Sequence, residues 1–320
     1  MSETRPRVAV VGAGAFGRNH LRVIRESGLA ELAGVYDLDP QRRQAAAAEF
    51  GCPAYASLDD IAGSATAAIV AVPTTSHKEV ACRLMDVGLD VMVEKPIAIT
   101  TDEARQMVSA ASSRGRILQV GHLERFNPAV EALRKIVRRP LFFEIHRLSI
   151  FTPRSLDVDV VSDLMIHDLD IVLSLTGAMP EEVRAAGISV LSERVDIANV
   201  RLAFPGGVVA NLTASRVSTE RVRKLRLFQP RQYISVDYAR RDCVAISVSE
   251  DRQVRIEPQK VEPGEPLARQ FESFLNAIDK RTAPVVDGIA AARALDLAQQ
   301  IVARIEEHAS LVTRTLVQQE

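Results

Sequence analysis

The chain has 320 residues, 47% of them hydrophobic and 25% charged, with a formal net charge of −1. That length suits two domains with a core each, and the balance of 40 basic against 41 acidic residues excludes whole-molecule attraction to nucleic acid or to a membrane surface. A polar, charged start after Met1, no apolar run long enough to span a bilayer, and three widely spaced cysteines (Cys52, Cys82, Cys243) lead to the expectation of a soluble, cytoplasmic protein with reduced thiols.

Residues 7–11 form a compact apolar run that reads as a buried strand, and it passes directly into Gly12-Ala13-Gly14-Ala15-Phe16-Gly17 and a helical pattern through Ile24. Glycines so placed permit a tight turn, close approach of backbone to a pyrophosphate, and close helix–strand packing; the helix start then offers N–H groups to phosphate. Positions 32–36 supply the second strand, and Asp37 supplies the acid expected about 20 residues on. A carboxylate there accepts ribose hydroxyls and repels a 2′-phosphate, which predicts NAD. Asp37 as a plain turn residue is the alternative, and Arg42 and Arg43 leave NADP open.

The alternation continues. Positions 42–50 read as an alanine-rich helix and 67–72 as a buried strand. That strand ends in Pro73-Thr74-Thr75-Ser76-His77, whose hydroxyls and imidazole are candidates to line a cofactor. Positions 78–88 read as a helix, and the strand after it ends in Glu94-Lys95-Pro96. Strand ends of this kind form the ligand crevice of open parallel sheets. A lysine there can hold a substrate hydroxyl and, when partly desolvated, exchange its proton. On the tripeptide alone, a surface lysine ending a strand is the plainer account. A helix over 102–114 and a strand over 117–120 complete a right-handed parallel sheet, so the expected first domain is 1–121.

Beyond Gly121 the rhythm changes. Position 131–138 is helical, 141–150 alternates as a half-exposed strand, and further strands are expected over 198–204, 208–214, 225–228, 233–237 and 243–248. The expected second domain, 122–320, is therefore α+β with a largely antiparallel open sheet. Its second face needs cover from helices or from a second copy of the chain. Amphipathic helices over 267–280 and 289–308 close the chain.

One stretch of this domain stands apart. Positions 162–170 lead a helix on which Asp163, His167 and Asp170 fall at i, i+4 and i+7 and share a face. Three readings compete: a solvated acidic face, a metal site for which the donor set is not distinctive, or an acid–base pair facing Lys95 across an interdomain cleft, the carboxylate orienting and charging the histidine.

Together these residues resemble the Gfo/Idh/MocA family of oxidoreductases: Gly12-x-Gly14-x-x-Gly17, Asp37, Pro73-Thr74-x-x-His77, Glu94-Lys95-Pro96, Asp163-x-x-x-His167, and the closing segment from Ala283 to Gly288. The likeness spans nearly the whole chain. It implies a Rossmann domain and an α/β domain with an open sheet, and NAD(P)-dependent oxidation or reduction of a sugar-like carbinol. The implied cofactor contacts are Gly12, Gly14, Ala15, Phe16, Gly17, Asp37, Pro73, Thr74, His77, Glu94 and Lys95. The implied catalytic residues are Lys95, His167 and Asp163, joined toward substrate by Arg125, Asn127 and Arg154; no metal is implied. Positions 121–128 and 160–170 look like the group acting on nucleotide-linked amino sugars. That implies the C3 hydroxyl of UDP-N-acetylglucosamine, a homodimer or homotetramer, and an aminotransferase as metabolic partner. A departure is Ile166, where the family commonly has glycine. Hydride transfer to nicotinamide needs a base at the hydroxyl, and Lys95 is favoured because its charge also stabilises an alkoxide. The rival expectations are a dehydrogenase of a free polyol such as inositol and a non-catalytic NAD-sensing regulator.

Overall fold

The structure, a computed structural model, describes residues 5–152 and 158–317. The chain divides into two compact units, Met1–Leu123 with Gly264–Ala292, and Glu124–Pro263 with Arg293–Glu320.

In the first unit the elements run β1 (Arg7–Val11), α1 (Ala15–Ser27), β2 (Glu31–Tyr36), α2 (Pro40–Phe50), β3 (Ala67–Val70), α3 (His77–Asp86), β4 (Asp90–Glu94), α4 (Thr101–Ser113) and β5 (Leu118–Gly121). The five strands are parallel in the order β2-β1-β3-β4-β5. Strand β3 is buried throughout, as expected of a sheet covered on both faces. Helix α2 shows how local sequence sets the boundaries. Asp39 caps its start by accepting from the N–H groups of Gln41 and Arg42, Pro40 occupies the first helical position, and Gly51 ends it with φ near +64°.

The second unit contains α5 (Pro128–Ile136), β6 (Phe142–Ile150), α6 (Ile166–Thr176), β7 (Glu182–Ile188), β8 (Ile197–Ala203), β9 (Val209–Ser218), β10 (Val222–Gln229), β11 (Gln232–Asp237), β12 (Asp242–Val248) and β13 (Val254–Pro258). Its eight-stranded sheet is ordered β13-β12-β11-β10-β6-β9-β8-β7 and is antiparallel except for the central β6–β9 pair. One face carries the core, with Phe143, Ile145, Leu212, Leu225 and Leu227 packed against the helices. The other carries half-exposed polar pairs such as Asn199–Thr213 at 2.9 Å and Arg226–Glu144 at 3.1 Å. Edge strands β7 and β13 have no counterpart among the expected strands; β13 is exposed at every position, so no apolar alternation marks it.

The last two helices are α7 (Pro266–Lys280) and α8 (Gly288–Val317). Here the expected 122–320 domain is corrected: α7 returns to the first unit and lays Phe271 and Phe274 against Leu21, Ile24 and Ile69. The Val120 N–H also donates to the carbonyl of Val286 at 3.0 Å. Helix periodicity reveals the apolar stripe, not which core it joins. Residues Ala294, Leu297, Ala298, Ile301 and Ile305 of α8 belong to the second core. Among the described residues no helix is long and apolar enough to cross a membrane.

The β7–β8 connection is held by one carboxylate. Buried Asp196 accepts from the N–H groups of Val190, Leu191 and Ser192 at 2.7, 2.7 and 2.9 Å, and from the Ser192 hydroxyl. Burial pushes its pKa up, but these donors outweigh it and bring it down to about 2 from 3.8. The group is stabilising above pH 4, and the contribution is lost as pH falls toward 2. Asp196→Asn is expected to lower stability by about 2 kcal/mol at pH 7, with the difference from the parent protein shrinking as urea titrations move toward pH 2.

Candidate active site

The site begins at the turn after β1. Gly12 has φ near +101°, and its N–H donates to the Tyr36 carbonyl at 2.7 Å. A Cβ there would strike the Ala71 backbone, and one on Gly17 would strike the carbonyl of Gly12. Those two glycines are demanded by the protein's own packing. Gly14 is different: a Cβ on it would meet no protein atom within 4 Å. Gly14 leads into α1 with no side chain capping the helix start. Open space, bare backbone and uncapped N–H groups together make a cradle for phosphate. Ala15 is exposed in the first turn, and Phe16, 53% exposed, lies at the rim of the adjoining cavity.

That cavity has a volume of about 770 Å³ and lies along the carboxyl ends of the strands. Gly12, Gly14, Phe16, Asp37, Pro73, Thr74, His77, Glu94 and Lys95 all line it. Asp37 is held by two backbone donors: Ala13 N–H to Oδ2 at 2.7 Å and Asp39 N–H to Oδ1 at 2.9 Å. This fixes its carboxylate against the glycine turn. Arg42 also lines the cavity but pairs with Asp39 at 3.3 Å, and Arg43 donates to the Asp37 carbonyl at 3.1 Å.

His77 was expected to offer its imidazole to a cofactor. It is 1% exposed, with Nδ1 2.9 Å from the Pro96 carbonyl and Nε2 3.0 Å from that of Val72. Its ring is therefore committed to stapling the β3 end to the Glu94-Lys95-Pro96 loop. Burial lowers its pKa, against the two carbonyls, which favour the protonated ring.

Glu94 ends β4 with a side chain 13% exposed, and its Oε1 lies 2.6 Å from Nε2 of His20 on α1. His20 is fully buried. Across the sheet, a Cβ on Gly121 would come within 2.7 Å of Glu94 Oε2, so the glycine makes room for the carboxylate. His20 was missed by sequence reasoning; its signal is a polar residue three after Gly17 on the helix face that otherwise carries Leu21 and Ile24.

In the second unit, the chain enters α6 through a π-helical turn, Val161–Met165. Such turns recur where a helix presents functional groups. Asp163 sits in this turn and His167 in the first turn of α6, both partly exposed. Asp170 departs from the expected shared face: it is 2% exposed and paired with Arg125 Nε at 2.8 Å. The π turn offsets Asp163 from the α6 register, and most of the α6 side chains, Asp170 among them, are buried. Arg125, expected at substrate, is 6% exposed and pairs through Nε with Asp170. Asn127, expected beside it, is buried as the cap of α5, accepting from the Ala129 N–H and donating to the Tyr238 carbonyl. Both therefore have partners within the second unit. Arg154 lies outside the described residues.

Beneath His167 is a charge network that the sequence did not reveal. Fully buried Arg147 on β6 grips Asp168 through Nε and Nη2 at 2.6 and 2.9 Å, and Glu124 through Nη1 at 2.9 Å. Tyr238 lies under its guanidinium at 5.2 Å. Burial disfavours the charge, but the two carboxylates raise the Arg147 pKa well above its ordinary value. Burial likewise opposes ionised Glu124, yet the charge and donors of Arg147 hold its pKa below the usual carboxylate range. The network locks the first turn of α6, and with it His167.

The cradle, the anchored Asp37 and the lysine-bearing strand end define a dinucleotide-dependent oxidoreductase. Residues 6–122 match the oxidoreductase family with NAD-binding Rossmann fold (GFO_IDH_MocA), and residues 137–233 match the GFO/IDH/MocA C-terminal domain. The chain belongs to the Gfo/Idh/MocA family, and is an NAD-dependent oxidoreductase acting on CH–OH groups. It is 37% identical over 306 residues to UDP-N-acetylglucosamine 3-dehydrogenase of Acidithiobacillus ferrooxidans, covering 94% of this chain and 97% of that protein. The solved structure of that enzyme superimposes with a TM-score of 0.90 over 95% of this chain and 98% of that one, at 37% identity. Inositol 2-dehydrogenase of Rhizobium meliloti is 26% identical over 320 residues, covering 93% and 97% of the two chains.

Proposed function

We propose that this protein oxidises the C3 hydroxyl of UDP-N-acetylglucosamine to the ketone with NAD. What carries the substrate is the likeness to the A. ferrooxidans enzyme, which is sustained through both units and exceeds that to the inositol dehydrogenase. What supports NAD over NADP is Asp37, a fixed negative charge at the cavity where a 2′-phosphate would be repelled. Arg42 does not reverse this, because it already pairs with Asp39.

NAD, when bound, supplies the hydride acceptor. The backbone N–H groups of the Gly14 turn and the start of α1 would hold its phosphates, Asp37 its adenosine ribose, and Pro73, Thr74 and Glu94 the remaining wall. Lys95 takes the hydroxyl proton and stabilises the alkoxide as it forms. His167 shares that proton, with Asp163 orienting its ring. Oxidation of an alcohol by NAD is uphill at neutral pH, so an aminotransferase consuming the ketone completes the reading. The protein acts in the cytoplasm as a homodimer or homotetramer, the half-exposed polar face of the eight-stranded sheet taking the second copy.

The substrate is tested by thermal protection with NADH present. UDP-N-acetylglucosamine is expected to raise Tm at concentrations where myo-inositol leaves it unchanged, since a ligand stabilises only the state that binds it. Protection by inositol alone would move the substrate to free polyols.

A further inference from the structure

The 2.6 Å contact between His20 and Glu94 joins the helix that follows the glycine turn to the strand end that carries Lys95. His20 has no exposed surface, and among the described residues no group lies within hydrogen-bond reach of its Nδ1. A protonated imidazole would leave a buried, charged N–H unpaired, which is costly. The one ring nitrogen with a partner is Nε2, so the N–H sits there and donates to Glu94 Oε1. Glu94 thereby loses its rotational freedom. Its other oxygen faces Gly121, where any side chain would displace it.

We propose that His20 is the positioning residue for Glu94, holding its carboxylate in the cavity wall against the nicotinamide half of the dinucleotide. This rests on the reading of the cavity as the NAD site, not on the identity of the sugar. A negative charge fixed there favours the positively charged nicotinamide ring of NAD. A carboxylate free to rotate would spend part of that attraction on becoming ordered. The same bond ties α1, whose start takes the phosphates, to β4, so both halves of the ligand are gripped by one rigid unit.

The test is calorimetric and needs no substrate. Binding of NAD and of ADP-ribose, which lacks nicotinamide, is measured for the parent protein, His20→Leu and His20→Gln. The proposal predicts that His20→Leu weakens NAD about tenfold and leaves ADP-ribose unchanged. His20→Gln, which carries an amide N–H to the same place, restores most of the NAD affinity. Glu94→Ala gives the same selective loss, and adding His20→Leu to it costs nothing more, so the bond is testable even where the single His20 variant does not fold. Equal losses for both ligands would make His20 a structural residue of α1 and overturn the proposal, as would additive losses or none. Failure of the parent protein to bind either ligand would instead refute the NAD site itself.

Discussion

Lys95→Met lowers kcat by about a thousandfold while NAD affinity stays nearly unchanged. Methionine keeps the length and apolar stem of lysine but has neither a proton to exchange nor a charge for the alkoxide. The loss falls on kcat rather than on NAD binding, because both effects are greatest in the transition state. Lys95 is one of many residues lining the cavity, and the phosphate cradle and Asp37 lie elsewhere along it. Stopped-flow turnover with calorimetric NAD titration separates the two quantities. A variant that turns over at the parent rate would remove Lys95 from the chemistry and leave His167 as the base.

Arg147→Met destabilises the second unit by about 3–5 kcal/mol. The side chain is fully buried; its loss strands Asp168, 2% exposed, and leaves Glu124, 13% exposed, with only the more distant Arg223 as a cation among the described residues. The cost is the desolvation of unpaired charge, not the worth of a surface pair. Arg226→Met provides the control, since its pair with Glu144 is about one-third exposed on both sides; that change is expected to cost less than about 1 kcal/mol. The effect also depends on pH with a definite sign. Because Arg147 depresses the Glu124 pKa, the stabilisation is present above the ordinary value of 4.5 and is lost as pH falls below it. Urea unfolding followed by circular dichroism measures both. Equal, small effects from the two variants would mean that the buried network contributes little.

The first unit was readable because its chemistry and its fold use the same residues in the same local order. Strand, glycine turn, helix and acid follow one another within 37 positions, and each step has a steric or electrostatic cause that acts locally. The parallel strands are apolar runs, so they stand out. What stayed hidden depends on distance in sequence. His20 meets Glu94 across 74 positions, and Arg147 meets Glu124 and Asp168 from a strand that reads only as alternating. Arg125 is expected at the ligand because a charged residue near a motif suggests one; in the structure it pairs with Asp170 in the core. An ideal helical wheel also ignores the π turn at Val161–Met165, which puts Asp163 out of step with His167 and Asp170. The return of α7 to the first core was invisible for a similar reason: an apolar stripe does not name its partner.

The most direct measurement mixes the purified protein with NAD and UDP-N-acetylglucosamine, adding glutamate and an aminotransferase specific for the 3-keto sugar nucleotide. The prediction is a rise in NADH absorbance together with a 3-amino sugar nucleotide by mass spectrometry, and no rise when NADP replaces NAD. NAD bound by the protein but neither NADH nor amino sugar formed, with NADH appearing only when a free polyol is supplied, would contradict the account.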